Sequence, residues 1–169
     1  MTVYAYVDGP LGEMLLTGEE SADGRTALAS LSLPGQKGGV VVREGWRHDP
    51  EAFLGIATQL RAYFTGGLTR FDLAYAHTGT GTGTDFQRRV WRALEDIPYG
   101  TTVTYGEIAA RVGASGAGVR AVGTAIGRNP LLVVRPCHRV IGADGALRGY
   151  AGGLERKERL LGLEGALIR

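Results

Sequence analysis

The chain has 169 residues, 44% hydrophobic and 21% charged, with a formal net charge of +2. That composition supports a buried core in one compact unit or two small domains. A single cysteine excludes an internal disulfide and any multi-cysteine zinc site, and no apolar run approaches the length of a membrane span. The N-terminus has no basic region followed by an apolar stretch, so a cytoplasmic protein is expected, in a compartment that keeps a lone thiol reduced.

Charge is unevenly spread. Residues 1–84 carry 6 Lys/Arg against 9 Asp/Glu, and residues 85–169 carry 13 against 8. A basic half joined to an acidic half suggests that one half meets a polyanion, although an ordinary solvated surface would look the same.

In chain order, residues 3–7, 13–17, 26–33 and 39–43 read as strands, separated by turn signals at Asp8-Gly9-Pro10, Asp23-Gly24 and Pro34-Gly35. Pro50 to Tyr63 reads as a helix, with Asp49 as N-cap and Pro50 at its first position. Residues 71–75 alternate like a strand. No chemical constellation stands out in this half, and His48 and His77 read as surface residues. The Thr/Gly run 78–84 is a low-complexity linker, dividing an N-terminal scaffold (1–77) from a C-terminal domain (85–169).

A helix follows at once: Thr84 and Gln87 fit a capping box, and Phe86, Val90, Leu94 and Ile97 form an apolar stripe. Pro98-Tyr99-Gly100 ends it. Thr104 to Glu107 is a second capping box, opening a helix with Tyr105, Ile108, Ala109 and Val112 on one side. After the turn Gly113–Gly116, Ser115 is placed to cap a third helix running to about Gly127. Two short helices joined by a Gly-containing turn make a helix-turn-helix arrangement. On the third helix, Val119, Val122 and Ile126 fall together towards a core, and Arg120, Gly123, Thr124 and Gly127 fall opposite. Two glycines on an exposed face weaken a helix by nearly 1 kcal/mol each. They suit the close approach of another backbone, either a packed helix or a nucleic acid.

The apolar run Leu131-Leu132-Val133-Val134 reads as a short buried strand ending near Pro136-Cys137-His138-Arg139-Val140, which holds the chain's only cysteine. A lone cysteine is often just a small buried hydrophobe. Reactivity needs a thiolate, and so a nearby cation, base or helix N-terminus. On a helix starting near Leu154, Glu164 projects to the apolar side between Leu160 and Leu161, where a carboxylate needs a partner. Lys157 projects in nearly the same direction.

The run Asn129-Pro130-x4-Arg135-Pro136-Cys137-His138-Arg139-Val140-Ile141-Gly142, with Gly149-Tyr150-Ala151-Gly152-Gly153 and Leu160-Leu161-x-x-Glu164, resembles the O6-alkylguanine-DNA alkyltransferases. These are single-turnover repair proteins that move an alkyl group from guanine in DNA onto their own cysteine. The resemblance is dense from about Thr84 to Gly165 and loose before it. It implies an α+β fold: a small N-terminal α/β domain of ribonuclease H-like type and a C-terminal helical domain with a winged-helix-like helix-turn-helix.

By the same resemblance, Cys137 is the alkyl acceptor, His138 its base through a bridging water, and Glu164 the residue that orients His138. Tyr105 crowds a phosphate and serves guanine N3, and Asn129 ties the recognition helix to the cysteine segment. Arg120 fills the space left by a flipped nucleotide, with Ala121, Gly123, Thr124 and Gly127 lining the DNA face. Val140, Tyr150, Ala151 and Gly152 receive the base. The implied partner is double-stranded DNA carrying O6-alkylguanine, bound through the minor groove by a monomer, with no cofactor, metal or membrane. The turn before the third helix is one residue longer than usual in the family and lacks the common turn proline. Arg135 stands where an aliphatic residue is usual, to face a phosphate or to snorkel, and Ala151 replaces a serine found in some members. Rival readings are a lesion binder without transfer, against which Cys137 argues, a helix-turn-helix transcription regulator, and a cysteine hydrolase, for which no oxyanion hole is evident.

Overall fold

A computed structural model describes residues 1–20, 23–76 and 83–166. His77 and residues 78–82 of the Thr/Gly run lie outside the described residues. The fold is mixed α+β, and the chain divides into two compact units, Met1–Thr78 and Gly79–Arg169.

The first unit is built on a four-stranded sheet of order β3-β2-β1-β4, from β1 (Thr2–Gly9), β2 (Gly12–Glu20), β3 (Thr26–Ser32) and β4 (Arg47–His48). The first three strands pair antiparallel, and β4 adds to β1 in parallel. At Gly18 the β2–β3 register slips by one residue. A Cβ there would stand 2.7 Å from the Ala27 carbonyl oxygen and 3.3 Å from the Phe53 ring, so only glycine lets Phe53 close onto the sheet. Asp49 accepts from the Ala52 N–H, and Pro50 opens a 3₁₀ turn (Pro50–Phe53) leading into α1 (Leu54–Phe64). Phe53, Ile56, Ala57, Leu60 and Tyr63 are the buried face of this segment.

Two expected strands do not form. Residues 39–43 are irregular: Val41 is 76% exposed, and Val40 N–H donates to the Ser32 hydroxyl rather than entering a ladder. Residues 71–75 are extended but contribute only an isolated bridge between Tyr75 and Leu28.

The second unit comprises α2 (Asp85–Glu95), β5 (Val103–Thr104), α3 (Tyr105–Arg111), α4 (Ala117–Gly127), a one-turn 3₁₀ helix (Cys137–Arg139), β6 (Val140–Ile141) and α5 (Leu154–Leu163). Both arms of the expected capping box close at α2: Gln87 N–H donates to Thr84 Oγ1 at 3.1 Å, and Thr84 N–H to Gln87 Oε1 at 3.0 Å. At α3 the Glu107 N–H donates to Thr104 Oγ1, and the Thr104 hydroxyl itself meets Glu107 Oε1. α4 departs from expectation at its start. Ser115 does not cap it; Gly116, at φ 55°, is the N-cap and no side chain supplies the cap. Val119 is 37% exposed rather than in the core, whose α4 side is Val122, Ala125 and Ile126.

Leu131 to Val134 are buried as expected but are not a strand. They form a tight turn in which Val133 adopts φ 71° and Arg135 N–H donates to the Leu131 carbonyl at 3.0 Å. A β-branched residue in the left-handed region is strained, and persists only where the surroundings over-determine it. Here Asn129 does so. Its amide accepts from Leu131 N–H at 3.0 Å and donates to the Leu131 and Arg135 carbonyls at 3.3 and 3.0 Å.

Candidate active site

Cys137 opens the 3₁₀ turn that follows, its N–H donating to the Arg135 carbonyl at 2.7 Å. It is the second unit's buried thiol, 4% exposed. The turn leads directly into β6, whose parallel pairing of Val103 with Val140 and Thr104 with Ile141 brings the start of α3, and hence Tyr105, beside the cysteine segment.

His138, next in the turn, is fully buried. Its Nε2 lies 2.8 Å from Glu164 Oε2, at the C-terminus of α5. Glu164 is in turn gripped by Arg139, whose Nε donates to Oε1 at 2.7 Å and Nη2 to Oε2 at 2.9 Å, while Nη1 donates to the Ile97 carbonyl. A bidentate guanidinium keeps a buried carboxylate ionised. Glu164 is then an acceptor towards His138, so Nε2 carries the hydrogen and Nδ1 presents its lone pair. Burial holds the His138 pKa below the ordinary value, against the pull of Glu164, so the ring is neutral. Nδ1 is buried and has no protein hydrogen-bond partner. The arrangement is a neutral imidazole with one nitrogen anchored and the other open as a base.

Burial pushes the Cys137 thiol up to about 11, and the Asn129 side-chain amide, then Lys157 and Arg135, act against that rise. Such a thiol is quiescent in the resting protein and needs a base to ionise it. Tyr105 is also raised, first by burial.

Lys157 is fully buried, with its Nζ donating to the carbonyls of Val140 at 2.6 Å, Leu147 at 2.5 Å and Gly149 at 3.0 Å. Burial lowers it to about 8. It lies 6.0 Å from the Tyr105 ring centroid. This lysine pins the segment that runs from β6 to Gly149 against α5.

The structure therefore brings Cys137, His138, Glu164, Asn129 and Val140 together as buried residues, with half-buried Tyr105 beside them. Arg120, Ala121, Thr124 and Gly127 lie instead on the exposed face of α4, with Gly123 half-buried at its edge. An added Cβ at Gly123 or Gly127 would meet nothing within 4 Å, so neither glycine serves helix packing within the described residues. Sequence reasoning did not single out Arg139, nor the clamp made by Lys157. The signal for Lys157 was present: with Leu160, Leu161 and Glu164 it completes an i, i+3, i+4, i+7 stripe on the buried side of α5.

Known proteins resemble this chain along nearly its whole length. The family model described as 6-O-methylguanine DNA methyltransferase, DNA binding domain, matches residues 85–166. A methylated-DNA–protein-cysteine methyltransferase of Mycolicibacterium paratuberculosis is 50% identical over 164 residues, covering 97% of this chain and 93% of that protein. One from Methanosarcina acetivorans is 46% identical over 163 residues, covering 96% and 98%. Among solved structures, Mycobacterium tuberculosis OGT in complex with DNA superposes with a TM-score of 0.84 at 48% identity, covering 97% of this chain and 93% of that one. The O6-methylguanine-DNA methyltransferase of Pyrococcus kodakaraensis superposes with a TM-score of 0.64 at 26% identity, covering 98% and 99%. With half of its residues shared across nearly its whole length, the chain belongs to the family of methylated-DNA–protein-cysteine methyltransferases.

Proposed function

We propose that the protein repairs O6-alkylguanine in double-stranded DNA by moving the alkyl group irreversibly to Cys137. The observation that carries this reading is the buried chain Cys137–His138–Glu164–Arg139, with a neutral imidazole whose Nδ1 is open. His138 takes the thiol proton, through a water in the family's manner, and Glu164 stabilises the imidazolium that forms. The thiolate attacks the alkyl carbon, a C–S bond forms, and the bond from that carbon to guanine O6 breaks. The guanine leaves with the electron pair and is neutralised by the Tyr105 hydroxyl at N3. The thioether has no leaving group that His138 could expel, so each molecule acts once.

In this reading α3 and α4 are a helix-turn-helix of winged-helix-like type, and the first unit is a ribonuclease H-like scaffold. The smooth face of α4 enters the minor groove, and Ala121, Gly123, Thr124 and Gly127 allow the sugar-phosphate backbone close. Phosphate contacts set register without reading sequence, as a lesion finder requires. Arg120 occupies the gap left when the damaged nucleotide turns out, a step that costs a few kcal/mol and is cheapest at a damaged base. Val140, Tyr150, Ala151 and Gly152 hold the flipped base. The protein acts as a cytoplasmic monomer, with the boundary between its domains in the Thr/Gly run 78–84.

Incubation with O6-methylguanine DNA followed by intact-mass measurement tests the proposal. One added methyl group per chain, on the peptide containing Cys137, is expected. Unmodified protein beside demethylated DNA would sink it.

A further inference from the structure

Arg135 is unusual for its place. It precedes Pro136 and Cys137, yet its side chain is only 11% exposed and turns back onto α2. Its guanidinium lies over the Trp91 ring, 5.4 Å from the centroid. Trp91 is itself fixed, because its indole N–H donates to the Ala125 carbonyl of α4 at 2.8 Å. From that seat Arg135 reaches Glu95 Oε1 at 3.4 Å and Asn129 Oδ1 at 3.5 Å. These distances are long for hydrogen bonds, so the contacts matter as charge and orientation rather than as tight links. The backbone of the same residue is in the site: its carbonyl accepts from both Cys137 N–H and Asn129 Nδ2.

We propose that Arg135 is a positioning residue for the transfer reaction: seated on Trp91 and beside Asn129, it holds a permanent positive charge at the turn that leads into Cys137, and Glu95 sets how much of that charge the thiolate feels. A guanidinium keeps its charge at every working pH. Little solvent lies around it, so its field reaches the turn with less screening than that of an exposed cation. Glu95 is 39% exposed, and its opposing charge is partly screened by water. The effect is additional to larger ones. The other groups facing Cys137 are Lys157 from α5, Tyr105 from α3, the Asn129 amide and His138 in its own turn.

The proposal rests on the reading of Cys137 as nucleophile, but its test does not need DNA. The chain has one cysteine, so alkylation by iodoacetamide at pH 8, followed by intact mass, reports its thiolate fraction. At a pH well below a thiol's pKa, raising that pKa by about one lowers the thiolate fraction roughly tenfold. Arg135→Met should slow alkylation by about threefold, as a pKa higher by about 0.5 would do. Arg135→Lys should stay within about twofold of the parent, because charge is retained. Glu95→Gln should act the other way and speed alkylation by about twofold. Single-turnover transfer from O6-methylguanine DNA should follow the same order.

A merely structural role would loosen the turn around a buried thiol, shift alkylation of all three variants in the same direction and lower their melting temperatures together. That result, or a Glu95→Gln rate at or below the parent rate, would overturn the proposal. If Arg135→Met does not fold, Glu95→Gln and Arg135→Lys still decide. If the alkylation order holds but no methyl reaches Cys137 from DNA, the nucleophile reading fails and the electrostatic one stands.

Discussion

At Glu164 one carboxylate serves a cationic partner and a neutral one, with different purposes. Arg139 holds its charge, and His138 uses it. Glu164→Gln should therefore slow transfer by roughly tenfold or more, since the base loses its anchor, and should leave DNA affinity nearly unchanged. Equal single-turnover rates for the two proteins would refute this. Lys157 makes a different prediction, about pH. Its folded pKa of about 8 lies below the usual lysine value near 10.5. Between those values the unfolded chain binds more protons than the folded one, so stability rises with pH across that window. In denaturant titrations the parent should gain on Lys157→Met from pH 8 to pH 10. At pH 7.5 the variant should already be weaker by about 3 kcal/mol, because three buried carbonyls lose their donor. A constant difference at both pH values would show that Lys157 does not titrate in that range.

Among the elements, α4 is the one whose sequence makes poor structural sense without a partner. Gly123 costs helix stability and packs against nothing that a Cβ would disturb. Gly123→Ala should raise stability by up to about 1 kcal/mol and weaken DNA binding; unchanged binding would remove Gly123 from the interface. Arg120 tests the same face from the side of chemistry. Arg120→Ala should severely slow repair in duplex DNA at saturating DNA, yet slow reaction with free O6-benzylguanine much less, because a free base needs no flipping. An unchanged ratio of the two rate constants would mean that Arg120 plays no part in flipping, and a phosphate-only role would instead lower the slope of the salt dependence by about one. Much of this unit was legible in the sequence. Capping residues and 3.6-residue periodicity are local signals, and α2, α3 and α5 follow them. The segment before Cys137 was not legible, because Leu131 to Val134 are apolar and β-branched, and the turn they make is imposed by Asn129 rather than by any glycine. The buried grip of Arg139 on Glu164 spans 25 residues, and no local pattern announces it. Val40 to Val42 failed for the opposite reason: β-branched residues favour a strand only where a neighbouring strand and a buried face are available.

Across the whole molecule, a single buried thiol makes repair and folding compete for the same space. Cys137 is 4% exposed and follows a turn whose Val133 is already strained. Methylation adds a carbon to sulfur and removes the S–H. Inserting a methyl group into a well-packed interior costs typically about 1–3 kcal/mol. The second unit is of a size for which each kcal/mol shifts the melting temperature by roughly 4–8 °C. The methylated protein should therefore melt at least about 4 °C below the unreacted one, with the loss falling on the transition of the second unit. Calorimetry before and after stoichiometric reaction with O6-methylguanine DNA measures it, once the repaired DNA has been removed so that ligand binding does not mask the change. An unchanged melting temperature would mean that the surroundings of Cys137 leave room for the methyl group in the resting protein. In that case the spent protein would persist as a folded competitor for DNA, and the strain at Val133 would have no part in its fate.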